Sequence, residues 1–326
     1  MIARKTNQRG VALLTVLLLT ATVAVLAVGM TDILTRAMSR AGASEARDQA
    51  FWALYGLESA AIGFLEDQAE VIDLPGAPLF QEPAVLAFGD ATATLTFADQ
   101  SNCFNVNDLV DSGEDGGYVK DEAALERFAS LIVALGGSQG GGEQLGGRII
   151  DFIDTNRRAE PGGAEDYDYS RRAVPYRTSG QLLAAESELR TISGFSRDVY
   201  RSLAPFLCVL PTESTQVLNV NSLTPEQAPL LLAITDDALT LAQAERLITD
   251  RPPQGYADVP EFMQQPALQG LDLPSDVSTF LSVETGLLSM DIVLESTIGR
   301  LRQEMLLQRD GASIGVIERR VGERLP

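Results

Sequence analysis

The densest set of side chains able to do chemistry lies between Asp151 and Tyr169, in DFIDTNRRAEPGGAEDYDY. Asp151, Asp154, Glu160, Glu165, Asp166 and Asp168 surround Pro161-Gly162-Gly163. A loop folding back at those glycines would bring three or more carboxylate oxygens together. Such hard donors suit Ca2+, which takes roughly 6–8 oxygen ligands. The spacing departs from an EF-hand, because the D-x-[DN]-x-[DN]-G pattern stops after Asp154 and Asn156. The competing reading is a solvated acidic loop balanced by Arg157, Arg158, Arg171 and Arg172. Catalysis finds little support. The chain has no His, which removes His-based triads, a His general base and His-containing zinc sites. Paired carboxylates of the glycosidase kind would want an aromatic-rich cleft, yet aromatics are 6% with one Trp, Trp52. No Ser-x-x-Lys occurs, since Lys5 and Lys120 are the only lysines. Gly136-Gly137-Ser138-Gln139-Gly140-Gly141-Gly142 has no flanking strand and helix and no Lys-Ser/Thr, so it reads as a flexible surface loop rather than a phosphate cradle.

The elements that must position the acidic loop begin with the N-terminus. Met1–Gly10 is a polar leader carrying Arg4, Lys5 and Arg9, and Val11 to Met30 has no charge. About 20 apolar residues span a bilayer core. A cleaved secretory signal has a shorter apolar centre and a small-x-small site after it, which this stretch does not offer. A plain anchor remains, with Gly10 standing before the apolar run rather than after it. Basic charge on the leader side orients the leader to the cytoplasm and the body outside. The net charge of −20 and pI near 4.4 make the body repel nucleic acid and anionic lipid. Cys103 and Cys208 form an even pair, which in an exported body points to one disulfide; two separate buried thiols are the alternative.

At 326 residues the chain holds two or three domains. Ala50, Leu54, Leu57, Ala61 and Phe64 mark one helix face, so the first helix extends to about Asp67, with Trp52 against the head or at the membrane interface. Leu74-Pro75-Gly76-Ala77-Pro78 breaks it. Val85–Phe88 and Ala91–Phe97 form a hairpin around Gly89-Asp90. From Ser101 to about Leu273 the pattern is helical, with helices over Glu122–Leu135, Arg148–Asp154, Ser179–Ala185, Pro225–Ile234 and Leu239–Asp250. Within it, Phe104-Asn105-Val106-Asn107-Asp108-Leu109 returns as Leu218-Asn219-Val220-Asn221-Ser222-Leu223, which gives two tandem helical subdomains. The second also resembles a helix-hairpin-helix, but its acidic surroundings argue against nucleic acid. From Thr279 alternation returns, giving three to four antiparallel strands with turns near Gly286 and Gly311.

The stretch RGVALLTVLLLTA around Gly10–Val11 resembles a type IV prepilin leader, and Thr15 stands where most pilin-like proteins carry Glu. That departure, with Gly163-Ala164-Glu165-Asp166-x-x-Tyr169, Asp151-x-x-Asp154 and Tyr176, resembles protein K of type II secretion systems over nearly the whole chain. The resemblance implies an α+β pilin-like fold: a long N-terminal transmembrane and amphipathic helix and a small antiparallel sheet, with a large inserted all-α domain of two sterile-alpha-motif-like (SAM-like) subdomains. The expected divisions are leader 1–10, transmembrane helix 11–30, spine and first strands 31–100, first subdomain 101–215, second subdomain 216–278, and C-terminal strands 279–326. It implies cleavage after Gly10 and N-methylation of Val11 by a prepilin peptidase. It also implies a structural Ca2+ held among Asp154, Glu165, Asp166, Asp168 and Asp151, with Glu186 a further candidate and Asn156 where relatives often have Asp. Expected partners are the I- and J-type minor pseudopilins, the major pseudopilin and the inner-membrane assembly platform, at the tip of a pseudopilus. The expected location is the bacterial inner membrane, single-pass, with the body in the periplasm. Competing functions are a membrane-anchored periplasmic binding module and, more remotely, a secreted acidic hydrolase.

Overall fold

The computed structural model describes residues 8–88, 91–114, 116–210, 217–296 and 299–322. Most of the leader, the Gly89-Asp90 turn and the 215/216 boundary lie outside the described residues. The first helix, α1, runs Gln8–Asp67, 60 residues, or about 90 Å at 1.5 Å per residue. Its apolar stretch is exposed throughout and is long and apolar enough to cross a membrane, with a mean hydropathy of 2.7. The Thr15, Thr20 and Thr22 hydroxyls donate back to the carbonyls of Ala12, Leu17 and Leu19. Those hydroxyls are therefore satisfied inside the helix, as a lipid environment demands.

The second half of α1 lies on a five-stranded antiparallel sheet: β1 Ala84–Phe88, β2 Ala91–Asp99, β3 Leu287–Ser296, β4 Gly299–Asp310 and β5 Ser313–Gly322, in that spatial order. Leu54, Leu57, Ala61 and Leu65 are buried against Leu288, Met290, Ile292, Met305 and Leu307. Full burial of each large side chain contributes about 1.5–3 kcal/mol. Two expectations shift. Leu65, not Phe64, closes the apolar face, and Phe64 stays half exposed. Trp52 is 75% exposed and meets only the Tyr55 ring among aromatic contacts. It lies two residues, about 200°, around the helix from buried Leu54, so it packs on neither the sheet nor the head. Inside the face, the buried Glu58 carboxylate is paired with Arg319 of β5 and accepts from Gln303 of β4. A buried acid without such a partner would be costly.

The helical region is inserted between β2 and β3, which are themselves paired, with Asp99 opposite Leu288. The α2 helix (Glu122–Ala134) and the α3 helix (Gln139–Ile153) form a hairpin. The glycine run is therefore largely helix, not a free loop. Ser138 caps α3 by accepting from Gly141 N. The glycines let the two helices approach: a Cβ on Gly142 would stand 2.7 Å from Ala129 Cα, and one on Gly146 2.4 Å from Leu125 Cδ1. The helix read over Ser179–Ala185 does not form. Gly180 takes a positive φ of 60° and the backbone of Leu183 is claimed by Asn107. A 3-10 turn follows at Glu186–Thr191. Before that turn lies α4 (Asp166–Ser170), and beyond it come α5 (Arg197–Leu203), α6 (Ala228–Ile234) and α7 (Leu241–Thr249).

The Asn echo has a physical meaning. Asn107 donates to the carbonyls of Leu183 and Leu210 and accepts from Leu183 N. Asn221 donates to the carbonyls of Tyr256 and Val283 and accepts from Tyr256 N. Each bracket ties a module's opening strand to its middle and its exit. Short parallel ladders accompany them, Phe104-Asn105 with Leu207-Cys208 and Leu218-Asn219 with Leu281-Ser282. The two modules share one contiguous apolar core, with Phe128, Leu131, Leu230 and Leu231 among its members. At the joint with the sheet, the Asp99 carboxylate accepts from Ser101 N, Asn219 Nδ2, Ser222 Oγ and Thr285 Oγ1. Cys103 and Cys208, 105 residues apart in sequence, form a disulfide. Closing a loop of that length contributes up to about 4–5 kcal/mol in the entropic account.

Candidate cation site on the first helical module

The acidic loop leaves the C-terminus of α3 and is wound around one carboxylate. Asp151 is fully buried. Its Oδ1 accepts from Glu160 N at 2.9 Å and its Oδ2 from Ala164 N at 2.7 Å. Gly163 makes this close wrap possible, because a Cβ there would fall 1.9 Å from Asp151 Oδ2. Asp154, the C-cap of α3, is also buried and accepts from Asn156 N and Nδ2. Glu165 precedes α4, and its Oε1 is buried with no hydrogen-bond partner.

Electrostatics joins these three acids. Burial, then the Asp151 charge, pushes the Asp154 carboxyl up to about 6. Burial, then the charges of Asp151 and Asp154, pushes Glu165 up to about 7. Burial raises Asp151 too, against the two backbone hydrogen bonds. Among the described residues no arginine forms an ion pair with these three acids. Arg171 lies over the Tyr167 ring, Arg172 over Tyr169 and Tyr176, and Arg157 and Arg158 are exposed. The arginine charge expected of a solvated loop acts instead on Asp166, through Arg177 and Arg157. The neighbouring Glu160 is instead held by Lys120 at 2.8 Å. That lysine was missed in the sequence, although being one of only two was a signal.

The remaining predicted residues are placed differently. Asp166 Oδ1 accepts from Thr178 N and Oγ1, which holds its carboxyl below the usual range. Asp168 Oδ2 accepts from Glu165 N. Glu186 lies away from the loop, in a cleft facing the sheet. Gly10 and Val11 fall inside α1. Among the described residues, no group of three or more His, Cys, Asp or Glu side chains stands at metal-holding distances. The chemistry of the donor set nevertheless suits a hard cation: three carboxylates with raised proton affinity, one of them with a buried oxygen that has no hydrogen-bond partner.

Comparison with known proteins bears on the whole arrangement. Family models described as "Type II secretion system (T2SS), protein K" match residues 102–212 and 218–284, the two Asn-bracketed modules. A Type II secretion system protein K from Klebsiella pneumoniae is 33% identical over 97% of this chain and 97% of its own length. The chain belongs to the protein K family of type II secretion. Another protein K, from Pectobacterium carotovorum subsp. carotovorum, is 30% identical over 98% of each chain. These full-length matches carry α1 and the sheet into the protein K likeness, beyond the two module matches. Among solved structures, a chain in the crystal structure of the GspK-GspI-GspJ complex from the enterotoxigenic Escherichia coli Type 2 Secretion System matches with a TM-score of 0.71. It is 25% identical and is covered over 99% of its length by 87% of this chain. Protein K is a component of a secretion machine, and the acidic loop lies inside its first matched module.

Proposed function

We propose that this chain is the minor pseudopilin that caps a type II secretion pseudopilus, starts its assembly and supports protein export across the outer membrane. Thr15 carries the reading. A pilin-like subunit with an acid there needs the N-terminal amine of a subunit above it, since a buried lone charge is costly. The Thr15 hydroxyl is satisfied by Ala12 O of its own helix and asks for nothing above. Prepilin peptidase cuts after Gly10 and methylates Val11. The α1 helix then waits in the inner membrane, with the body in the periplasm, until it joins I- and J-type minor pseudopilins, the major pseudopilin and the inner-membrane assembly platform. The exposed Trp52 and Tyr55 provide an aromatic anchor of the kind that dominates interfaces.

A structural calcium completes this reading. Asp151, Asp154 and Glu165 would hold it, and Asp166 and Asp168 shape the loop. Bound there, the ion supplies positive charge that offsets three crowded carboxylates and fastens the loop to α3. The chain's own part is to hold Asp151 with two backbone N–H groups and to keep Glu165 Oε1 free.

The test is intact mass and N-terminal sequencing of protein from membranes of a host with prepilin peptidase, followed by co-purification with the I- and J-type subunits. A start at methylated Val11, with co-purification weakened by Trp52→Ala, is the expected result. An uncut Met1 start would favour a plain anchored binding module, and a start beyond Met30 would remove the filament reading.

A further inference from the structure

The sheet face turned away from α1 does not pack fully on the first module. A 660 Å³ cleft separates them. Its floor is apolar, with buried Leu210 next to the disulfide and half-buried Leu306 of β4. Its walls are charged and unbalanced: Glu186, Asp291, Glu304 and Glu318 stand against Arg302 and Arg320. Both arginines are already spent. Arg302 is shared by Asp291 and Glu304 at 2.8 Å each. Arg320 is held by Glu318 and by the carbonyl of Ala184. Among the described residues Glu186 makes no ion pair and no side-chain hydrogen bond; the Arg320 charge reaches it, and it is solvent-accessible. Half-buried Tyr200, on α5, presents its ring to the same space. An accessible carboxylate, an aromatic ring and an apolar floor form a receptacle for a cationic side chain with an aliphatic stem.

The cleft borders an open sheet edge. The β5 strand, which supplies Glu318 and Arg320, pairs with β4 on one side and with no other strand among the described residues. Unpaired edge groups recruit an extended chain, whose alternate side chains then fill adjacent pockets. We propose that this cleft and the β5 edge form a docking site for an extended, basic segment of a partner protein, with Glu186 and Tyr200 receiving its Arg or Lys. The proposal does not depend on the filament reading, so Val11 processing and co-purification stand or fall separately from it.

The full chain in lipid nanodiscs is titrated with two fluorescein-labelled peptides, one carrying Leu-Arg-Leu-Arg-Leu and the other Leu-Glu-Leu-Glu-Leu, and binding is followed by anisotropy. The arginine peptide should bind saturably and the glutamate peptide should not. Glu186→Gln should weaken the arginine peptide about tenfold, and high salt should do likewise. Amide exchange should show protection over β5 and residues 185–187. Equal binding of the two peptides, no binding of either, unchanged affinity in Glu186→Gln, or protection elsewhere would overturn the proposal. If Glu186→Gln lowers the melting temperature, the exchange footprint on the unmodified chain decides alone.

Discussion

At the scale of single residues, the acidic loop behaves as a charge problem held in place by backbone. Asp151 receives two N–H donors, Asp154 an asparagine, and Glu165 Oε1 nothing. Calcium should therefore raise the melting temperature of the chain. By mass action the gain is about 2.7 kcal/mol at a hundredfold excess over Kd. Calorimetry with calcium against a chelator should show this for the natural sequence and lose it in Glu165→Gln and Asp154→Asn. The pH dependence without metal has a definite sign. Asp154 titrates near 6 and Glu165 near 7 when folded, above their ordinary values of 3.8 and 4.5. The folded state thus binds protons that the unfolded chain has released. Stability is greatest below about pH 4 as far as these groups are concerned, and falls as pH rises towards 7. Asp154 accounts for at most about 3 kcal/mol of that fall. Urea unfolding in chelator at pH 5 and pH 8 should give the lower midpoint at pH 8, and calcium should close the gap.

At the scale of elements, glycine decides how the first module packs. Gly142 and Gly146 are contact points between α2 and α3, while Gly140, on the same helix, faces nothing within 4 Å. Gly142→Val should therefore destabilise by about 3 kcal/mol, because Ala129 backbone cannot yield to a Cβ at 2.7 Å. Gly140→Ala should stabilise by about 0.5–1 kcal/mol through helix propensity alone. Equilibrium unfolding of the two variants separates packing from propensity; similar shifts in both would refute the packing account. The Asn-x-Asn motifs belong to this scale as well. Each places an amide, with two donors and a two-lone-pair oxygen, where three backbone segments meet. No apolar residue of similar size satisfies those groups, which is why the apolar rhythm of both stretches is interrupted by Asn.

At the scale of the whole molecule, the spine and sheet form one core and the two modules another. They meet at the Asp99 joint and the disulfide-backed contact with Leu287 and Leu306. Since Asp99 pairs with Leu288, the ends of the insert lie side by side, and a short turn can replace it. A chain with residues 101–286 exchanged for such a turn loses both cysteines together and keeps the α1–sheet core intact. In the proposed role it should still start pseudopili, but of altered length, because the bulk that stops further subunits above it is gone. Electron microscopy of sheared filaments would test this, and an unchanged length distribution would count against a capping insert.

Local physics is what the sequence could reveal by itself. An uncharged run of twenty residues after a basic leader and the alternation from Leu287 onward depend on near neighbours, and each was legible. The order of the elements, a long helix and a sheet interrupted by helices, followed from the same signals. Features set by distant contacts were not legible. The glycine run looks like a loop until Ala129 and Leu125 are placed beside it, and Ser179–Ala185 looks helical until Asn107 takes its backbone. The acids from Asp151 to Asp168 are equivalent in one dimension. Only the fold separates Asp166, satisfied by Thr178, from Glu165, left with a buried oxygen. Burial and partner choice are properties of the folded neighbourhood, and tertiary structure alone decides which carboxylate is left unsatisfied.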